Sequence, residues 1–318
     1  MPDQADLESK KVAATMRFTL WRGRHLKSAM CHFLPLTGSL MFALLAGLAS
    51  NASGEESPPT TTSNKKPKIE LPRIVIAGDF GDAVPENIEK VLETTAEQLL
   101  RHTPERRLGT ILVSPSTDVP ITLFAKGPAD EYQIRLATRD RFWAQYAYQF
   151  AHEVCHVLCN YDQKRTGDKQ WFEEALCETA SLFALKGLAV SWKESPPYPN
   201  WKSFAESFQH YVNDILSRRD RRLPPDQSLP EWYRRNAETL RKDRQSTERT
   251  RLVATYLLSL FEDDPTGWQA LTWINTGEQD SSLPFPEYLA GWKSRCPERH
   301  RPFVHRIETL FGLASERK

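Results

Sequence analysis

Residues Phe150-Ala151-His152-Glu153-Val154-Cys155-His156 set two imidazoles one helical turn apart, with a carboxylate between them. They stand in a stretch where Phe142, Tyr146 and Phe150 recur at helical spacing. An apolar helix that carries such groups must hand them partners, because burying an unpaired charge is costly. Positions i and i+4 lie about 40° apart around a helix, so both rings can reach one cation from the same face. Glu153 is rotated by about 100°, where its carboxylate can act on water at that ion without being a ligand. The pattern His-Glu-x-x-His points to zinc, with His152 and His156 as ligands and Glu153 as the general base.

A catalytic zinc needs a third protein ligand and an open position. The run Trp171-Phe172-Glu173-Glu174-Ala175-Leu176-Cys177-Glu178 offers Glu174 and Glu178 on one helix face. The interval after His156 leaves room for a short loop and an antiparallel helix that returns to the ion. Glu173, one residue earlier, is expected to face another direction. These two segments together resemble the gluzincin metallopeptidases, the clan of thermolysin-like and alanyl-aminopeptidase-like enzymes. In that clan a Trp/Leu-x-Asn-Glu helix follows the histidine motif, and its Glu binds zinc. The resemblance implies Glu174 as third ligand and Glu178 as the carboxylate that orients a ligand histidine.

The resemblance covers roughly 140–186 and departs from the clan in three places. Glu173 stands where the clan has Asn. The Gly-x-Met-Glu-Asn strand that captures a substrate amino terminus is absent, which favours an endopeptidase over an aminopeptidase. In Thr247-Glu248-Arg249-Thr250, Thr247 replaces the tyrosine that stabilises the oxyanion. Tyr256, Tyr233, His210, Arg249 or Arg251 are the substitutes on offer.

The rest of the chain sets the frame. Arg17, Arg22, Arg24 and Lys27 precede an apolar run from Phe33 to Ala49, followed by small residues. That describes a secretory signal peptide over 1–52, with an uncleaved anchor as the alternative. The chain beyond it is then secreted, periplasmic or held at the cell envelope. Ser, Thr, Pro and Lys dominate 53–68, a flexible linker. Strands are expected at 71–77, 110–113, 121–125 and 132–137, and a helix at 85–102. Everything after Asp140 reads as helix: 142–160, 170–186, 201–217, 230–243, 247–262, 266–275, 284–293 and 301–313. Strands before helices predict an α+β fold, with a small mixed zincin-like lobe at 69–186 and an all-helical lobe at 187–318. Tyr132 to Ala137 alternates, as an edge strand that pairs with an extended peptide or as a purely structural strand.

Lys+Arg number 42 against 41 Asp+Glu, so no net field draws the chain to nucleic acid. The basic run Arg218 to Arg251 reads as solvated helix surface, or else as a rim favouring acidic partners. Cys155, Cys159, Cys177 and Cys296 are expected as buried free thiols, with a Cys155–Cys177 disulfide or ligation by Cys159 as alternatives. Trp268, Trp273 and Trp292 read as core. The resulting expectation is an extracytoplasmic zinc peptidase acting on a peptide or protein substrate. Its competitor is an inactive zincin-like module in which zinc braces two helices.

Overall fold

A computed structural model describes residues 69–162, 167–243 and 247–314. The expected signal segment and linker lie outside them. The β-branched triplet Ile74–Ile76 forms β1, and a chain reversal follows at Gly78. Gly78 has φ +87°, and a Cβ there would meet Pro115 Cδ at 2.7 Å, so glycine alone fits. Helix α1 (Pro85–Leu100) starts with proline at its first position and buries Ile88, Val91, Leu92 and Leu99. Its apolar stripe covers the sheet, completed by β2 (Ile111–Pro115), β3 (Ile121–Thr122) and β4 (Tyr132–Leu136).

The strand order is β1-β2-β4-β3. β1, β2 and β4 run parallel, with Ile74 beside Ile111 and Ile111 beside Tyr132. β3 is antiparallel to β4, Ile121 pairing with Arg135. Tyr132, Ile134 and Leu136 are buried while Arg135 is exposed, so the alternation read from the sequence is a real two-faced strand. β4 is nevertheless not an edge. It lies between β2 and β3, and the short strand β3 carries the edge instead.

The helices follow in order. α2 (Trp143–Leu158) carries the histidine motif and packs on α1, β3 and β4. α3 (Gln170–Glu194) is longer than the expected 170–186, because Leu188, Ala189 and Trp192 extend its buried run. It is buried along most of its length and touches α1, α2, α4 (Phe204–Leu216) and α6 (Thr247–Asp263). α5 (Leu229–Lys242) opens with a capping box between Ser228 and Glu231. Short α7 (Gly267–Ala270), then α8 (Phe285–Arg295) and α9 (Arg301–Leu310), complete the helical part. The expected helix 266–275 is interrupted, running as α7, a 3-10 turn at Leu271–Trp273, and a loop.

The architecture is α+β, a small four-stranded sheet followed by helices. Ile69–Lys318 belong to one compact unit, and α3 runs unbroken through the lobe boundary expected at 186/187. Trp268 and Trp292 are fully buried core; Trp273 is partly buried and stacks on His300 at 5.5 Å. Arg234, Arg235, Arg241 and Lys242 of the basic run are exposed on α5, whereas Arg221 is buried. Among the described residues no helix is long and apolar enough to cross a membrane.

Candidate metal site

α2 and α3 lie side by side. Along α2 the residues Tyr148, His152 and His156 meet Glu178, Glu174 and Glu173 of α3, so the two helices are antiparallel. The short spacing between motif and glutamates suits this arrangement, in which α3 retraces α2. His152 Nε2 stands 3.2 Å from Glu174 Oε2, and His156 Nε2 stands 3.9 Å from Glu174 Oε1. Both imidazoles therefore turn the same nitrogen towards one carboxylate. Burial acts to raise the Glu174 pKa, but the bond to His152 and the charge of both imidazoles hold it below the ordinary carboxylate range.

Glu173 does not face elsewhere as its position predicts. Its Oε1 accepts from His156 Nδ1 at 2.7 Å, and the side chain is buried. Consecutive residues on a helix diverge by about 100°, yet a ring as wide as imidazole can be met on two edges at once. Glu174 takes Nε2 and Glu173 takes Nδ1. Burial works to lower the His156 pKa, but the Glu173 hydrogen bond and the charges of Glu174, Glu173 and Glu153 prevail and raise it to about 10.

Glu153 is 2% exposed, and its Oε2 accepts from the Thr122 hydroxyl at 2.8 Å. Thr122 belongs to β3, so the edge strand lies directly against the motif glutamate. Burial pushes the Glu153 carboxyl above its ordinary value, against the pull of His152, His156 and Thr122. Tyr161 is near enough for the Glu153 charge to raise its own pKa, after burial and Asp162, while its hydroxyl donates to the Leu123 carbonyl at 2.7 Å.

Glu178 takes hydrogen bonds from the Tyr148 hydroxyl and the Arg221 guanidinium. Burial would raise its pKa; the Arg221 charge and these two bonds outweigh that and lower it, with a smaller contribution from His152. The residues expected to replace the missing tyrosine are dispersed. His210 is exposed on α4, and Tyr256 packs on the core from α6. Tyr233 lies among Trp171, Phe285 and Phe311, and Arg249 donates to Asn236 at 3.2 Å. Arg251 pairs with Asp220 at 3.3 Å. The cation that the helical part does bring to this face is Arg221, from the 3-10 turn Arg219–Arg221. The side chain of Thr247 is outside the described set.

A buried His152/His156/Cys177 group can hold a metal ion: one ligand atom from each lies within 4.8 Å of the others. Cys177 is close to one turn beyond Glu174 on α3. Cys155, Cys159, Cys177 and Cys296 are all free and buried. Cys177 also interacts with Cys155 and Cys159, and burial pushes its thiol well above the usual range. Glu174 lies against both rings but is not a member of the His152/His156/Cys177 group. Thr122 and Arg221 carry no mark of this role in the sequence, whereas the adjacent Glu173 and Glu174 among apolar residues of α3 are a visible signal.

No family model, no curated protein and no solved structure matches this chain. The donor set and its partners therefore carry the chemistry by themselves.

Proposed function

We propose that the chain is an extracytoplasmic zinc-dependent peptidase, with His152, His156 and Glu174 as ligands and Glu153 as the general base. The observation that carries this reading is the meeting of both Nε2 atoms with one Glu174 carboxylate, beside a second, buried glutamate left to Thr122. Two imidazoles, His156 yielding to the ion the second proton that its glutamates favour, and a carboxylate are a donor set that suits zinc and would leave a coordination position for solvent or substrate. Zinc there supplies Lewis acidity, which lowers the pKa of a water towards about 7 and polarises a carbonyl.

The protein's own groups do the rest. Glu153, its basicity raised by burial, takes the proton from the attacking water and returns it to the leaving amine. Thr122 holds that carboxylate in one rotamer through Oε2, which leaves the other oxygen for proton transfer. The edge strand β3 is where an extended peptide would add as a further strand, bringing its carbonyl beside Glu153. Glu173 keeps the His156 Nδ1 proton in place, so that Nε2 offers its lone pair.

A second reading has a specific observation behind it. His152, Glu153, His156 and Glu174 are each under a tenth exposed, and Cys177 is in reach of the two rings. Thiolate ligation by Cys177 would close the coordination shell and make a brace between α2 and α3 without turnover. Glu153→Gln separates the two. With a quenched-fluorescent peptide library, the zinc-loaded wild type cleaves, and the variant keeps its zinc while losing about 100-fold or more in rate. A variant as active as wild type, or a zinc-loaded wild type that cleaves nothing in the library, leaves the brace as the function.

A further inference from the structure

Behind Glu173 stands a second line of buried groups, from the far end of the chain. Glu173 Oε2, the oxygen not used by His156, accepts from Asn275 Nδ2 at 3.0 Å. The same amide nitrogen donates its other proton to the Cys159 carbonyl at 2.9 Å. Asn275 Oδ1 in turn accepts from the Tyr288 hydroxyl at 2.7 Å. Asn275 and Tyr288 are each 1% exposed, so water does not compete for these bonds.

The geometry allows one amide orientation only. Turned over, Asn275 would set its oxygen against the Glu173 carboxylate and its two N–H groups against the Tyr288 hydroxyl. The two pure acceptors, Glu173 Oε2 and the Cys159 carbonyl, therefore fix the Asn275 nitrogen towards them, Tyr288 supplies the proton that Asn275 Oδ1 then accepts, and Asn275 leaves Glu173 Oε1 for His156. The backbone is arranged to permit this. Asn275 sits at φ +60°, a left-handed conformation that Asn tolerates better than most residues. Asn160, itself at φ +57° just past α2, anchors the loop by donating to the Thr272 and Ile274 carbonyls at 3.1 and 2.9 Å. The Cys159 carbonyl that Asn275 caps belongs to the open C-terminal end of α2.

We propose that Tyr288 and Asn275 are positioning residues for the metal site, acting through Glu173 to hold the Nδ1 proton of His156 and so present its Nε2 lone pair to the ion. This rests on the metal-binding reading of His156 above. It adds that α8 and the loop before it, which supply no ligand, set the affinity. The relay reaches His156 through Glu173, whereas His152 meets Glu174, and that difference makes the role testable.

The test uses the full chain and zinc alone, with affinity measured by competition against a chelating indicator. Nitrogen-15 spectra of the zinc-loaded protein report the Nδ1 protons of the two histidines. In wild type the His156 Nδ1 proton is held in slow exchange. Tyr288→Phe and Asn275→Ala are expected to weaken zinc about 10- to 100-fold and to speed exchange at His156, with His152 unchanged. Wild-type affinity in both variants overturns the proposal, as does a change that affects both imidazoles alike, which is the mark of general loosening. Should Asn275→Ala fail to fold, Tyr288→Phe, which removes a single oxygen, decides the matter. No peptide cleavage is measured, so failure of the relay and failure of the peptidase reading are told apart.

Discussion

His156 has two nitrogens, and each meets a different glutamate of α3. The same economy of position recurs at Glu178, whose carboxylate takes Tyr148 from α2 and Arg221 from beyond α4. Arg221 is 1% exposed and Glu178 6%, so this ion pair has little solvent to screen it. Removing one member of such a pair leaves a charge that the interior cannot solvate. Arg221→Met is expected to lower stability by about 3–5 kcal/mol in urea denaturation. Adding Glu178→Gln should recover part of that loss; a double variant worse than the single one would argue that Arg221 acts by packing alone. Spacing along one helix places His152 near His156 and Glu174 near Glu178, but Glu178 meets Tyr148 and Arg221 rather than the histidine that the resemblance implies. Glu173 departs from its expected direction because helical angle is a property of the Cα trace, while a long side chain can reach round to a neighbour's far edge.

Elements follow from local pattern more closely than their ends do. β4 and α2 appear where alternation and helical periodicity place them. α3 overruns its expected end because its terminal turns are buried among α1, α4 and α6, and packing rather than any breaker sets its length. β4 illustrates the opposite limit. Its two-faced pattern is readable, but whether it is an edge depends on where β3 pairs, and that is a tertiary fact. Packing between elements is also tight enough to forbid small changes. At the start of α7 a Cβ on Gly267 would run into the ring of Phe303 on α9, itself 4.7 Å from Phe261 of α6. Phe261 stacks in turn on Trp268 at 4.0 Å, so the Phe303 ring belongs to a packed cluster of rings. Gly267→Ala is expected to cost about 1–3 kcal/mol by overpacking, read from the urea midpoint. An unchanged midpoint would mean that the α7–α9 contact yields freely.

In the whole molecule, the histidine-motif helix α2 is held from three directions: the sheet through Thr122, α3 through its glutamates, and the C-terminal part through Asn275. An ion bound between α2 and α3 would tie the first two together in the folded state alone. Zinc at a thousandfold above its Kd should then stabilise the protein by about 4 kcal/mol. Chelation should remove that gain as a fall in Tm, and His152→Ala should lose the response to zinc; a Tm indifferent to zinc would exclude the site under either functional reading. The motif helix, the glutamate helix and the order of strands before helices could all be read from the chain, since each is encoded within a few turns by residue spacing and polarity. Which distant groups close around that motif could not. Thr122, Arg221, Asn275 and Tyr288 carry no local mark, and only the folding of the chain back upon itself gives each of them a buried partner to satisfy.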